Sequence, residues 1–175
     1  MALVSASNII RSISVFHITL AFYFLTSPIT ITDHNLVFVM GQAMKLPHVR
    51  AFDVQSAPLS FLAVVLGMVG VSDLVSISGP EEIAMYHWGA QAPIRLTMFF
   101  AIAFYSFAFS ANSPLMASGT YTPSMWGEGL KNRLIFSWAF VEMSAWFWAL
   151  LTLREERRDM ATRIAEKRAA QEDMM

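Results

Sequence analysis

The sequence predicts an all-α membrane protein: a four-transmembrane-helix bundle with short interfacial helices and a charged cytosolic C-terminal helix. Apolar residues make up 55% of its 175 residues and charged residues only 14%, whereas soluble proteins carry about 25% charged residues. A soluble domain of this size has too much surface for its volume to bury so much apolar area. The apolar residues also cluster into four stretches, each near the roughly 20 residues that a helix needs to cross a bilayer.

These four stretches define the predicted domain organisation. They cover about residues 9–25, 58–77, 94–109 and 134–153. We therefore expect residues 1–153 to form one transmembrane domain and residues 154–175 to form a charged cytosolic tail.

The segment between the first two spans contains signals for a short helix. Asp33 stands where an N-cap residue belongs, ahead of apolar residues at helical spacing over 36–43. Pro47 would end this helix, which we expect to lie on the membrane surface. The segment from Asn112 to Gly129 is rich in Ser, Pro, Thr and Gly, which is typical of a loop.

A second interfacial helix is predicted before the third span. Pro80 is suited to the first helical position, and Glu81 and Glu82 would then lie in the positively polarised first turn. We expect this helix to end at Gly89 and the third span to begin at Pro93.

The basic residues predict the orientation of the chain. Four spans place both termini on one side of the membrane, and eight of the 12 Lys and Arg residues fall on that side. Because positive charge is retained in the cytosol, both termini should be cytosolic. Six of those eight residues lie in the tail, so the tail decides the orientation.

Several ionisable residues fall inside the predicted spans or at their ends, and each needs a partner, since a charge at the bilayer centre costs about 3 kcal/mol by insertion scales. His17 and Glu142 should lie at similar depths and form a pair. Asp73 should bridge to Arg95 or to Arg11 near the cytosolic surface. Glu142 shares its helix face with small residues, so it should point into the bundle.

Three interpretations of these polar residues stay open. They could hold the four helices in register, they could form a proton or cation path, or Glu142 could receive a transmembrane helix of another protein. A path needs ionisable groups at successive depths, and the sequence offers one central pair. The structural interpretation is therefore preferred.

The sequence gives no sign of catalysis. Without cysteine, thiol chemistry and disulfides are excluded. The four His residues follow no metal-binding pattern, and no phosphate-binding glycine loop occurs, so we expect no enzyme activity, metal or cofactor. The net charge of −1 gives no reason to expect nucleic acid as a partner. The interfacial helix with Glu81, Glu82, His87 and Trp88 would be the site of any lipid-handling activity.

Several segments resemble one known family. They are the run from Ser72 to Ser76, the run from Pro80 to Gly89, the run from Pro93 to Arg95, and the opening residues 10–17. These residues are similar to the fungal "increased loss of mitochondrial DNA" family. The resemblance implies a small multi-span protein of the endoplasmic reticulum. The family name records a mutant phenotype, which can arise indirectly, and the resemblance implies no catalytic residues.

The functional expectation is a non-enzymatic accessory or assembly factor for other membrane proteins, with an indirect role in mitochondrial DNA maintenance. Its expected partners are membrane lipids and another integral membrane protein. A cation or proton channel built on His17, Asp73 and Glu142 is one alternative, and a lipid-handling protein is another. The sequence does not predict the oligomeric state.

Overall fold

The computed structural model describes residues 4–110 and 127–172, and every regular element in those ranges is helical. The α-helices are α1 (Ala6–Thr26), α2 (Ile29–Thr32), α3 (Asn35–Ala43), α4 (Ala57–Ile77), α5 (Glu81–Ala108) and α6 (Arg133–Glu172). Short 3₁₀ turns at Arg50–Phe52 and Glu128–Leu130 precede α4 and α6. The all-helical class predicted from the sequence is confirmed.

Three of these helices, α1, α4 and α6, are long and apolar enough to cross a membrane. They indicate a membrane protein. Helix α5 contains the predicted third span but is not among the three. Its apolar stretch after Arg95 reaches only to Ala108, which is shorter than the roughly 20 residues that a full span requires. The span predicted in α5, and with it the total of four spans, therefore stays a prediction.

The long helices pack as two antiparallel pairs, α1 with α4 and α5 with α6, and α6 also contacts α1 and α3. Close approach of α4 to α1 depends on Gly70, where an added Cβ would lie 2.8 Å from the Ser14 carbonyl oxygen and from Ile18 Cγ1. Small residues at such crossings let two backbones meet, which is a common basis of helix association in membranes.

The predicted break between Gly89 and Pro93 is wrong, because α5 runs without interruption from Glu81 to Ala108. A proline inside a helix removes one hydrogen bond and costs about 3 kcal/mol. Here Trp88 and Ala92 are fully buried just before Pro93. Their packing against α6 stabilises the continuous helix, so tertiary contacts outweigh the local cost.

The predicted helix starts are also shifted. His34, rather than Asp33, is the N-cap of α3, since its Nδ1 accepts a hydrogen bond from the Leu36 N–H at 3.3 Å. Asp33 instead ends α2, a helical turn that the sequence did not predict. Pro80 is the N-cap of α5 and not its first residue.

Helix α6 passes through the predicted domain boundary at 153/154 as one helix of 40 residues. Its outward face carries Phe140, Phe147 and Leu151, all exposed. Most of the predicted loop from Asn112 to Gly129 lies outside the described residues.

Candidate functional site

The inward face of α6 positions the central carboxylate. Ala139, Trp146 and Ala149 are all fully buried on this face. Their spacing of seven and three residues along the chain places them on one side of a helix. Glu142 shares that side and is 1% exposed. Because the neighbouring alanines are small, α1 can approach closely enough to reach the carboxylate.

The predicted pair between α1 and α6 forms in the structure. His17 Nε2 lies 2.8 Å from Glu142 Oε1, and both side chains are almost fully buried. The contact is short, but its angles are not those of a directed hydrogen bond. His17 Nδ1 has no hydrogen-bond partner among the described residues.

The second oxygen of Glu142 is held by a tryptophan of the same helix. Trp146 Nε1 donates a hydrogen bond of 3.0 Å to Glu142 Oε2, across one helical turn. The Trp146 ring stacks on Trp88 of α5, with ring centroids 5.6 Å apart and an interplanar angle of 19°. The sequence analysis missed this stacked pair, although the spacing of four between Glu142 and Trp146 was a signal for the hydrogen bond.

Arg95 joins the stacked indoles to α4. Its guanidinium carbon lies 5.2 Å from the Trp88 ring centroid and 5.0 Å from the Trp146 ring centroid. Its two terminal nitrogens donate to the two carboxylate oxygens of Asp73, one of them at 2.8 Å. Such a bidentate pair is the strongest form of an arginine–carboxylate contact. Of the two predicted partners of Asp73, the structure selects Arg95, and Arg11 is exposed.

These contacts form one continuous network through all four long helices. It runs from Asp73 on α4 to Arg95 and Trp88 on α5, then to Trp146 and Glu142 on α6 and finally to His17 on α1. Each carboxylate faces a basic side chain, Asp73 facing Arg95 and Glu142 facing His17. The arrangement is typical of groups that fix helices in register. Glu142 is enclosed by α1 and α6, so it does not offer a surface to another protein.

The predicted interfacial helix of α5 divides into exposed and buried parts. Glu81 and Glu82 lie exposed in the first turn, as predicted, and His87 is also exposed. Trp88 is fully buried in the network, so it does not lie at the protein surface with the other three residues. Among the described residues, no ion pair or hydrogen bond joins His87 to Glu81 or Glu82. No group of three His, Asp or Glu side chains in the described ranges could hold a metal ion.

A second polar cluster, which the sequence analysis missed, lies at the opposite end of the bundle. His48 Nε2 lies 3.0 Å from Asp53 Oδ2. The Arg133 guanidinium donates to the Thr32 carbonyl oxygen at 3.2 Å, and the Arg133 backbone N–H donates to the Pro47 carbonyl oxygen at 3.1 Å. Burial acts to raise the pKa of Asp53, but hydrogen bonds with Thr32 and His48 and the charge of Arg133 outweigh it and lower that pKa.

This cluster anchors the loops between α1 and α4 to the first turn of α6. The contact is close, since a Cβ added at Gly41 of α3 would collide with the Arg133 side chain. The sequence gives only a weak signal for this cluster, because its residues come from segments about 100 positions apart, as in the Arg133–Thr32 contact.

Comparison with curated proteins and with solved structures gave no match. A family model described as "Increased loss of mitochondrial DNA protein 1" matches residues 4–163. This range holds the whole network and confirms the family that the sequence resembles. Since the match covers well over half of the chain, the protein belongs to the increased loss of mitochondrial DNA protein 1 family.

Proposed function

We propose that this protein is a non-enzymatic accessory factor of the endoplasmic-reticulum membrane that binds other multi-span membrane proteins and helps to assemble or stabilise them. Loss of mitochondrial DNA, to which the family name refers, would then follow indirectly from client proteins that fail to assemble. One observation carries this proposal: a groove on the outer surface of α5 and α6 that is suited to a helix of a partner.

The groove is lined by Leu96, Thr97 and Phe100 of α5 and by Met143, Ser144 and Phe147 of α6. Thr97 and Ser144 are exposed small residues on facing helices. Both hydroxyls are already satisfied, because each donates at 2.8 Å to the carbonyl oxygen four residues earlier. The groove therefore needs no polar partner, and its small floor with aromatic walls fits the closely packed helix contacts found in membranes.

This docking surface replaces the one expected at Glu142. The carboxylate is enclosed by His17 and Trp146, whereas the α5–α6 groove faces outward. We therefore expect Glu142 substitutions to change stability, and groove substitutions to change partner binding.

The proposal includes four spans with both termini in the cytosol. The antiparallel pairing of α5 with α6 supports α5 as a span. It sets Phe99 of α5 beside Trp138 of α6, with ring centroids 5.1 Å apart. An apolar segment paired with a spanning helix shares its depth. Topology can be tested directly, since the chain has no cysteine. In sealed microsomes, an impermeant maleimide should label a Ser78→Cys variant, which precedes α5, and should label a Gly129→Cys variant, which follows α5, only after permeabilisation. Labelling of Gly129→Cys in sealed microsomes would contradict α5 as a span and therefore four spans.

Partner binding is tested by purification from native membranes in a mild detergent, with co-purifying proteins identified by mass spectrometry. We expect a stoichiometric multi-span protein that is lost from a Ser144→Trp variant, because an indole there fills the groove. The matched control is Val64→Trp, which adds the same bulk to an exposed position on α4. Recovery of no partner, or equal loss in both variants, would contradict the accessory role.

A further inference from the structure

The strongest feature outside the polar network is an apolar cavity of about 460 Å³. It lies in the wedge between α1 and α6, with α4 behind it and α2 and α3 at one end. The walls include Phe16 and Leu20 of α1, Leu66 of α4, and Trp138 of α6, and Val37 of α3 lies at the end. The volume falls within the range of about 300–1,000 Å³ that is usual for ligand sites.

The wedge exists because α1 and α6 meet at one end and diverge at the other. They touch at the Ala6–Glu156 hydrogen bond of 2.9 Å and at the His17–Glu142 pair. At the other end, α3 packs against the start of α6, where Gly41 approaches the Arg133 side chain. The space left between the helices is the cavity.

A cluster of exposed polar side chains lies at one end of this cavity: Tyr23, Thr30 and His34 line it where α1 ends and where α2 and α3 begin. Thr19 lines the cavity elsewhere, but its hydroxyl already donates to the Val15 carbonyl oxygen. His34 Nδ1 accepts the hydrogen bond that caps α3. In the neutral ring the proton is therefore on Nε2, which leaves this N–H as a donor for a ligand oxygen. The cavity thus combines an apolar interior with hydrogen-bond donors at its rim.

Two further donors in the α6 wall lack partners. Ser137 is 1% exposed, and neither its Oγ nor Trp138 Nε1 has a hydrogen-bond partner among the described residues. Buried polar groups are normally satisfied. Water suits this space poorly, because an apolar cavity offers it few of the partners that ordered waters require.

We propose that the cavity binds one acyl chain of a bilayer glycerophospholipid, whose ester and phosphate oxygens accept hydrogen bonds at the rim of Tyr23, Thr30 and His34. The apolar interior of about 460 Å³ accommodates a hydrocarbon chain. The rim lies at the end of α1, at the depth where a span meets the headgroup region, so the polar part of a lipid inserted from the side reaches these donors. The site is separate from the α5–α6 groove of the proposed function, and either can exist without the other.

The test uses the full chain reconstituted in phosphatidylcholine vesicles that contain a phosphatidylcholine with a photoreactive diazirine in one acyl chain. After illumination, labelled peptides are located by mass spectrometry. We expect labelling of residues 16–24 and 134–141 in wild type. A Leu62→Trp variant places an indole at the cavity wall and should lose this labelling. Val64→Trp, on the lipid-facing side of the same helix, should keep it.

A rim variant separates binding from folding. His34→Asp keeps a good N-cap residue for α3 but carries no side-chain donor when it is ionised. We expect it to purify with wild-type stability and with less bound phospholipid per chain after washing in mild detergent. Labelling confined to outward-facing residues, or retention of a sterol in place of phospholipid, would overturn the proposal. Unchanged phospholipid in both Leu62→Trp and His34→Asp would overturn it equally.

Discussion

Replacement of Glu142 tests whether the network holds the bundle together. A Glu142→Leu variant leaves His17, which is 3% exposed, facing no carboxylate. It also removes the acceptor of the Trp146 N–H, a hydrogen bond of 3.0 Å. Loss of one partner of a buried ion pair costs about 3–5 kcal/mol, and an unsatisfied buried donor costs about 1–3 kcal/mol. We therefore expect the free energy of unfolding to fall by at least about 3 kcal/mol.

The double variant His17→Leu/Glu142→Leu gives the decisive comparison. Removal of both partners leaves only the Trp146 N–H without an acceptor, so the cost should be about 1–3 kcal/mol. The double variant should therefore be more stable than Glu142→Leu alone. The assay is equilibrium unfolding in mixed micelles, followed by tryptophan fluorescence. Ser144→Leu, at an exposed position of the same helix, should change stability by no more than about 0.5 kcal/mol. A His17→Leu variant completes the cycle. The coupling would be refuted if the cost of the double variant equalled the summed costs of His17→Leu and Glu142→Leu within about 0.5 kcal/mol.

Three further predictions use the same unfolding assay. Gly70→Ala should destabilise the bundle by about 1–3 kcal/mol, because its new Cβ would lie 2.8 Å from α1 atoms. The control Gly129→Ala should be neutral, because a Cβ there meets no atom within 4 Å. Equal effects of the two substitutions on stability would contradict the close crossing of α1 and α4. Arg95→Lys should lower the free energy of unfolding by about 1–2 kcal/mol, because Lys keeps the charge but loses the bidentate contact and the stacking on two indoles. Wild-type stability of this variant would contradict a stabilising role for these Arg95 contacts. Because the pKa of Asp53 is lowered in the folded protein, its carboxylate stabilises the fold at pH values above the ordinary pKa of about 3.9. This stabilisation is lost as pH falls through the pKa of the folded state. Wild type should thus exceed Asp53→Asn in Tm at pH 6 and match it near pH 2, and a gap independent of pH would exclude this linkage.

The sequence predicts the polar pairs because membrane burial leaves few choices. A histidine and a glutamate at equal depths in apolar spans must find partners, and each is the nearest available to the other. The same argument gives Asp73 two candidate partners, Arg95 and Arg11, and only the structure selects Arg95. These pairs depend on depth and charge alone, and both quantities can be counted along the chain.

The errors arise where tertiary packing outweighs a local rule. Gly89 and Pro93 are signals for a helix end, but burial of Trp88 and Ala92 keeps α5 continuous. The N-cap of α3 shifts from Asp33 to His34 because both residue types can accept a backbone hydrogen bond. The cluster around Arg133 depends on how α3 meets α6, which no local pattern specifies.

The order of the network residues along the chain has a consequence for synthesis. Asp73 meets its partner Arg95 only 22 residues later, which takes about 1–4 s at translation rates of about 5–20 residues per second. His17 precedes Glu142 by 125 residues, a delay of about 6–25 s at the same rates. During that interval α1 can pair with α4 through Gly70, but the imidazole has no carboxylate to face. Until α6 emerges from the ribosome, His17 of α1 therefore has no carboxylate partner, whether α1 lies in the membrane or beside the insertion machinery.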